Sequence, residues 1–153
     1  MILSKFISKK QNEAKEYLKS IGKQPYSPQY GEELEKAWLV FADVLLSVKK
    51  TSSAKGLLDR CLKYNSSCGK AEELLGFIAE KDSNLIQAVG HYKRAWELFN
   101  QNSPTVGYRL AHCYLELEDH VNCVSICKTI LKKQKNNEDI QKILAKSLPE
   151  LRA

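Results

Sequence analysis

Trp38, Phe41, Ala42 and Leu45 stand at positions i, i+3, i+4 and i+7. That spacing puts four apolar side chains on one face of an α-helix. Ala54, Leu58 and Cys61 repeat the pattern a little further on, after the polar stretch "VKKTSS". Two more such pairs follow. Their internal breaks are "EKDSN" and "LEDH", and the breaks between pairs are "NSSCG" and "NQNSP". Ser103 and Pro104 suit the N-cap and first position of a new helix. The chain therefore reads as helix–turn–helix pairs.

The pairs are copies of one unit. A large apolar residue followed by a small one recurs at Phe41-Ala42, Leu75-Gly76 and Leu110-Ala111, in steps of 34 and 35 residues. A small residue recurs at Ala54, Ala88 and Cys123. This period, with two helices per unit, is the tetratricopeptide pattern. The expected fold is all-α: a tetratricopeptide-repeat α-solenoid of antiparallel helix pairs in a right-handed superhelix. Units are expected at 35–68, 69–103 and 104–137. Residues 1–34 would hold a truncated preceding repeat and its loop, and 138–153 a capping helix. Trp38, Ala42, Ala54, Leu75, Gly76, Ala88, Tyr92, Ala95 and Ala111 are the expected packing residues. The small ones sit where helices approach closely. Gly90 has small counterparts at Gly56 and Ser125, with no more than a guessed packing cause.

At the ends, residues 12–21 read as the second helix of an earlier unit, through Ala14, Leu18 and Ile21. Its first helix would be cut short at Met1. Pro25 and Pro28 mark residues 22–34 as a loop. The last helix runs through Ile140, Ile143 and Leu144 and is expected to end near Pro149.

Composition narrows the classes. Hydrophobic residues make up 43% of the 153 and charged residues 27%, an ordinary globular balance. The net charge of +6 is spread over pairs such as Lys49-Lys50 and Lys132-Lys133. It lacks the basic stripe interleaved with aromatics that nucleic-acid binding calls for. The longest apolar run, "WLVFADVLLSV", is too short for a membrane span and carries Asp43. Five cysteines, with no signal-peptide pattern ahead of them, read as reduced thiols.

No phosphate loop, HExxH, GxSxG or CxxC occurs, so the expectation is a protein that is not an enzyme and holds no cofactor. His91, His112 and His120 show no repeated relation to acids or hydroxyls. His112, Cys113, His120, Cys123 and Cys127 offer five zinc-ligand types in sixteen residues. Cys123 and Cys127 occupy packing positions, however, where cysteine acts as a small hydrophobe. No metal is expected.

First helices of such units line a concave groove that can hold a peptide. Leu39, Asp43, Phe77, Tyr108 and His112 are the candidate groove contacts. Co-chaperones of this repeat class hold a carboxylate with a Lys, Asn, Asn, Lys, Arg set. The matching positions here are Leu39, Asp43, Leu74, Thr105 and Arg109, and only Arg109 agrees. That clamp is disfavoured.

"EELEKAWLVFADVLL", "LLDRCLKYNSSCGKAEELLGFIAEKD", "AVGHYKRAWEL" and "SPTVGYRLAHCYLE" go beyond repeat consensus. They resemble the C-terminal part of the tetratricopeptide repeat protein 21 family, the large repeat subunit of intraflagellar transport complex A. The resemblance runs from about residue 12 to residue 152. It implies a non-enzymatic scaffold whose partners are other subunits of a ciliary transport complex. It also implies a place in the cytoplasm, the cilium and the ciliary base, without nucleic acid or membrane insertion. The family chain is many times longer, so a fragment or short isoform is expected. The rival expectation is a general cytosolic adaptor that binds a peptide in its groove.

Overall fold

The computed structural model describes residues 2–152, with side chains at 9, 12, 13 and 15–152. Among these residues the structure is helical throughout. The helices are α1 (Ile2–Lys23), α2 (Gly31–Ser47), α3 (Thr51–Tyr64), α4 (Gly69–Lys81), α5 (Leu85–Leu98), α6 (Pro104–Glu116), α7 (His120–Lys133) and α8 (Glu138–Arg152). A 3-10 turn, Pro28–Tyr30, precedes α2. The chain divides into two compact units, 1–66 and 67–153.

In the first unit α2 packs against α1 and α3. Trp38 is 1% exposed and donates its indole N–H to the Ile21 carbonyl at 3.2 Å. Leu34, Ala42, Leu45, Ala54, Leu57, Leu58 and Cys61 complete this core. In the second unit α4 pairs with α5 and α6 with α7, while α8 lies on α6 and α7. Tyr92, Trp96, Leu110, Cys123, Cys127 and Ile140 belong to its core.

The pair turns share one closing geometry. Lys49, Ser83 and Glu118 have φ of 62°, 59° and 58°. At each, that residue's N–H bonds a carbonyl three residues back, to Leu46, Glu80 or Leu115. The next N–H bonds a carbonyl five residues back, to Leu45, Ala79 or Tyr114. This is the Schellman motif, which captures two orphan carbonyls at a helix end. Glycine usually fills the left-handed position because it has no Cβ penalty. We expect Ser83→Gly to raise the stability by about 1 kcal/mol, read as a higher urea midpoint with unchanged slope. Asn84 and Asp119 follow, and their side chains cap α5 and α7 by accepting from the N–H groups of Gln87 and Asn122.

The ends differ from the sequence expectation in three ways. First, α1 is one helix of 22 residues, not a truncated helix and a second one. No Gly or Pro interrupts it before Gly22, so nothing stops the helix upstream of residue 12. The Ala14 side chain lies outside the described residues. Second, the loop is only residues 24–27 and the 3-10 turn, because α2 begins at Gly31 with Glu32 and Glu33 in its first turn. Third, α8 runs past Pro149 to Arg152. Pro149 is exposed, so its ring turns to solvent near the helix end.

The glycines separate by what surrounds them. A Cβ on Gly76 would lie 2.7 Å from two ring carbons of Tyr92. A Cβ on Gly90 would meet only the tip of Arg94 at 3.9 Å, and one on Gly56 would meet nothing within 4 Å. Gly90 and Gly56 thus have no packing cause. Gly90→Ala is expected to stabilise by about 1 kcal/mol through helix propensity alone. Gly76→Ala has the same propensity gain but overpacks a ring that cannot retreat. It is expected to destabilise by about 1–2 kcal/mol net. Urea unfolding of both variants checks the opposite signs.

Candidate protein-interaction surface

All nine expected packing residues are buried. Trp38, Ala42 and Ala54 lie in the first unit, and Leu75, Gly76, Ala88, Tyr92, Ala95 and Ala111 in the second. Each is held by a helix face whose spacing points inward.

Of the five groove candidates, Leu39 is half-buried and Asp43 exposed, one turn apart on α2. In the second unit Phe77 is on α4, while Tyr108 and His112 are one turn apart on α6. The rings of Tyr108 and His112 lie 6.2 Å apart, and His112 Nδ1 is 3.3 Å from Glu116 Oε1.

Phe77 anchors a polar cleft of about 310 Å³ between α4, the α4–α5 turn and α6. Lys81 Nζ stands 5.3 Å and Arg109 Cζ 5.1 Å from its ring. Both distances fit cation–π attraction. Arg109 also lies 3.6 Å from Glu80. Glu80 in turn accepts a 2.6 Å hydrogen bond from the Tyr92 hydroxyl. Burial, and then the neighbouring Glu80, push the Tyr92 hydroxyl well above its ordinary pKa. The surface of the cleft is therefore tied to the core through Glu80. Sequence spacing gave no sign of this link, because Glu80 matches Leu46 and Leu115 in the other pairs.

Glu72 was also missed. It is 7% exposed and sits on α4. His91 Nδ1 lies 2.7 Å and Arg94 Nε 3.2 Å from its two oxygens. A buried carboxylate needs such partners. All three histidines in fact have an acid or hydroxyl neighbour, because His120 Nδ1 is 2.8 Å from Ser147 Oγ. The partners stand at three different offsets, so no relation repeats from unit to unit. Partners 27 residues away in the chain leave no local trace.

The five candidate zinc ligands have other partners in the fold. His112 faces Glu116, His120 faces Ser147, and Cys123 donates to the Ala111 carbonyl at 3.4 Å. Among the described residues no group of three or more His, Cys, Asp or Glu side chains is placed to hold a metal ion. Cys113 is fully buried, and burial followed by Glu80 pushes its thiol up to about 12. The contact between Cys127 and Cys123, followed by burial, raises the Cys127 thiol. Stability from neutral Cys113 is whole below about pH 9, the ordinary thiol value, and is lost as pH rises toward 12. Native Cys113 therefore holds much less thiolate at pH 8 than an exposed thiol does. Iodoacetamide labelling with peptide mapping is expected to show it protected until the chain unfolds.

At the clamp positions Leu74 is buried and Arg109 is engaged by Glu80. No described helix is long and apolar enough to cross a membrane.

Packed helix pairs with mixed charged and aromatic side chains on their first helices define a class: a tetratricopeptide-type protein-interaction scaffold. A solved structure of YrrB, a tetratricopeptide repeat protein, superposes with a TM-score of 0.66 at 18% identity, over 76% of this chain and 60% of that one. Residues 1–148 match the family described as Tetratricopeptide repeat protein 21 C-terminal ARM domain. The chain belongs to that family. Tetratricopeptide repeat protein 21B of Xenopus laevis is 42% identical over 140 residues, which are 91% of this chain and 11% of that protein. The Mus musculus protein of the same name is 39% identical over 153 residues, 99% of this chain and 12% of its own length. The chain thus spans about a tenth of these relatives.

Proposed function

We propose that this chain is a non-enzymatic scaffold segment that binds other subunits of a ciliary transport complex, intraflagellar transport complex A. Its place would be the cytoplasm, the cilium and the ciliary base. Family membership over residues 1–148 is the observation that carries this reading. The fold agrees with it, since paired helices offer a large, rigid surface to protein partners. Fluorescent tagging in ciliated cells tests the location. Enrichment at the ciliary base is expected, and a uniform cytoplasmic signal at low expression contradicts it.

The cleft at Phe77 favours a second reading, a general adaptor that binds a peptide in its groove. An aromatic anchor flanked by two cations suits a peptide with an acidic residue near an apolar one. On a peptide array, Phe77→Ala and Tyr108→Ala would then abolish binding. Unchanged binding by both variants contradicts that reading.

A further inference from the structure

Cys123 and Cys127 stand one turn apart on α7, and neither has any exposed surface. Residues at this spacing share a helix face, and here the two thiols are in contact. Cys123 also donates to the Ala111 carbonyl at 3.4 Å. A second chain of contacts ends on the same sulfur. Ser147, a fully buried residue of α8, reaches Cys123 and lies 2.8 Å from His120 Nδ1. A cysteine that only fills space has no need of a second thiol and a buried hydroxyl aimed at it. The hydrogen bond from Cys127 holds the Cys123 thiol below its ordinary pKa, against burial and with help from Ser147. One sulfur with thiolate character beside a second thiol is the arrangement of a peroxide-sensitive pair.

What covers the pair is α8. It buries Ile140, Ile143 and Ser147, while its outer face is exposed. A helix held by so few buried side chains opens at lower free energy than the whole fold. Cys113 is buried as well, but it lies on α6 and answers to Glu80 of α4. Opening of α8 therefore bares the Cys123 side of α7 and leaves Cys113 covered.

We propose that Cys123 and Cys127 form an oxidation switch gated by α8, in which a peroxide converts the dithiol to a disulfide. The Cys123 sulfur attacks one peroxide oxygen and the O–O bond breaks. Cys123 becomes a sulfenic acid, and the departing hydroxide takes the thiol proton and leaves as water. The Cys127 sulfur then attacks the Cys123 sulfur, and the S–O bond breaks. The second hydroxide leaves as water with the Cys127 proton. Peroxide gains two electrons and the two sulfurs lose them. Cα atoms four residues apart in a helix are separated by about 6 Å, within the span of a disulfide. Their Cβ atoms, roughly 5–6 Å apart, must close to about 4 Å. The turn of α7 beneath α8 tightens, the contact with Ser147 is lost, and α8 loosens.

The test treats the full chain with hydrogen peroxide, then denatures it, alkylates it with N-ethylmaleimide and maps the thiols by mass spectrometry. The peptide carrying the pair should lose two hydrogens, with Cys123 and Cys127 blocked and Cys113 labelled. Cys127→Ala should stop the reaction at a Cys123 sulfenic acid, which dimedone traps. Ile140→Val, which thins the packing under α8, should speed oxidation of the pair about fivefold and leave Cys113 labelled. Circular dichroism checks that both variants fold. In the oxidised chain, amides of 140–150 should lose hydrogen-exchange protection and regain it with dithiothreitol. Oxidation of Cys113 as fast as the pair overturns the proposal, because the route is then global unfolding. An unchanged rate in Ile140→Val, or unchanged protection of α8 after oxidation, overturns it too. So do thiols that stay reduced in the folded chain under peroxide that oxidises them in urea.

Discussion

Tyr92→Ala is expected to lower stability by about 3–5 kcal/mol, the cost of removing a buried aromatic ring. Tyr92 has no exposed surface, and its ring fills the space that glycine leaves at position 76. Removing it opens a cavity between α4 and α5 that their backbones cannot close. It also takes away the hydroxyl that holds Glu80 against Arg109. Tyr92→Phe separates the two effects. It keeps the ring and loses one hydrogen bond to a carboxylate that water reaches, so a loss of about 1 kcal/mol is expected. Urea unfolding followed by circular dichroism measures both. A Tyr92→Ala variant within 1 kcal/mol of the native chain would show that the ring is not a packing element.

Trp38→Ala should cost the first unit a similar amount, about 3–5 kcal/mol. The indole is 1% exposed, carries Arg60 on its face and donates to the Ile21 carbonyl. Its loss releases three things together: the α2 core, the stacked guanidinium and the end of α1. Arg60 also bonds the carbonyls of Gly22 and Gln24, so the connection from α1 to α2 loosens with it. Hydrogen exchange is the sensitive readout. Amides of 24–35 should lose protection, while those of α6 and α7 should keep it. Retained protection across 24–35 would mean that Trp38 does not hold this connection.

The helices and their inward faces were legible because they are periodic. Trp38, Ala42 and Leu45 announce a buried face before any coordinates are known. Gly76 was legible for the same reason, since its place in the unit is shared with Ala42 and Ala111. The ends were less so. Pro149 and the two prolines near residue 25 signal breaks, but a proline near an exposed helix end costs little, and α8 passes through it. The turn closures were hidden because Lys49, Ser83 and Glu118 stand where glycine is the usual marker. The candidate surface was least legible. Phe77 could be placed on a first helix with Lys81 one turn on, but its second cation, Arg109, comes from α6. The acid that holds one of them answers to a tyrosine on α5. Contacts made across helices carry no fixed spacing, and no repeat register reveals them.

The most direct measurement of the scaffold role is quantitative affinity purification of the tagged chain from ciliated cells, beside its Tyr92→Ala variant. The account predicts recovery of intraflagellar transport complex A subunits by the native chain and loss of that recovery when the fold is broken. Enrichment of unrelated proteins by the native chain, with none of those subunits among them, would contradict it.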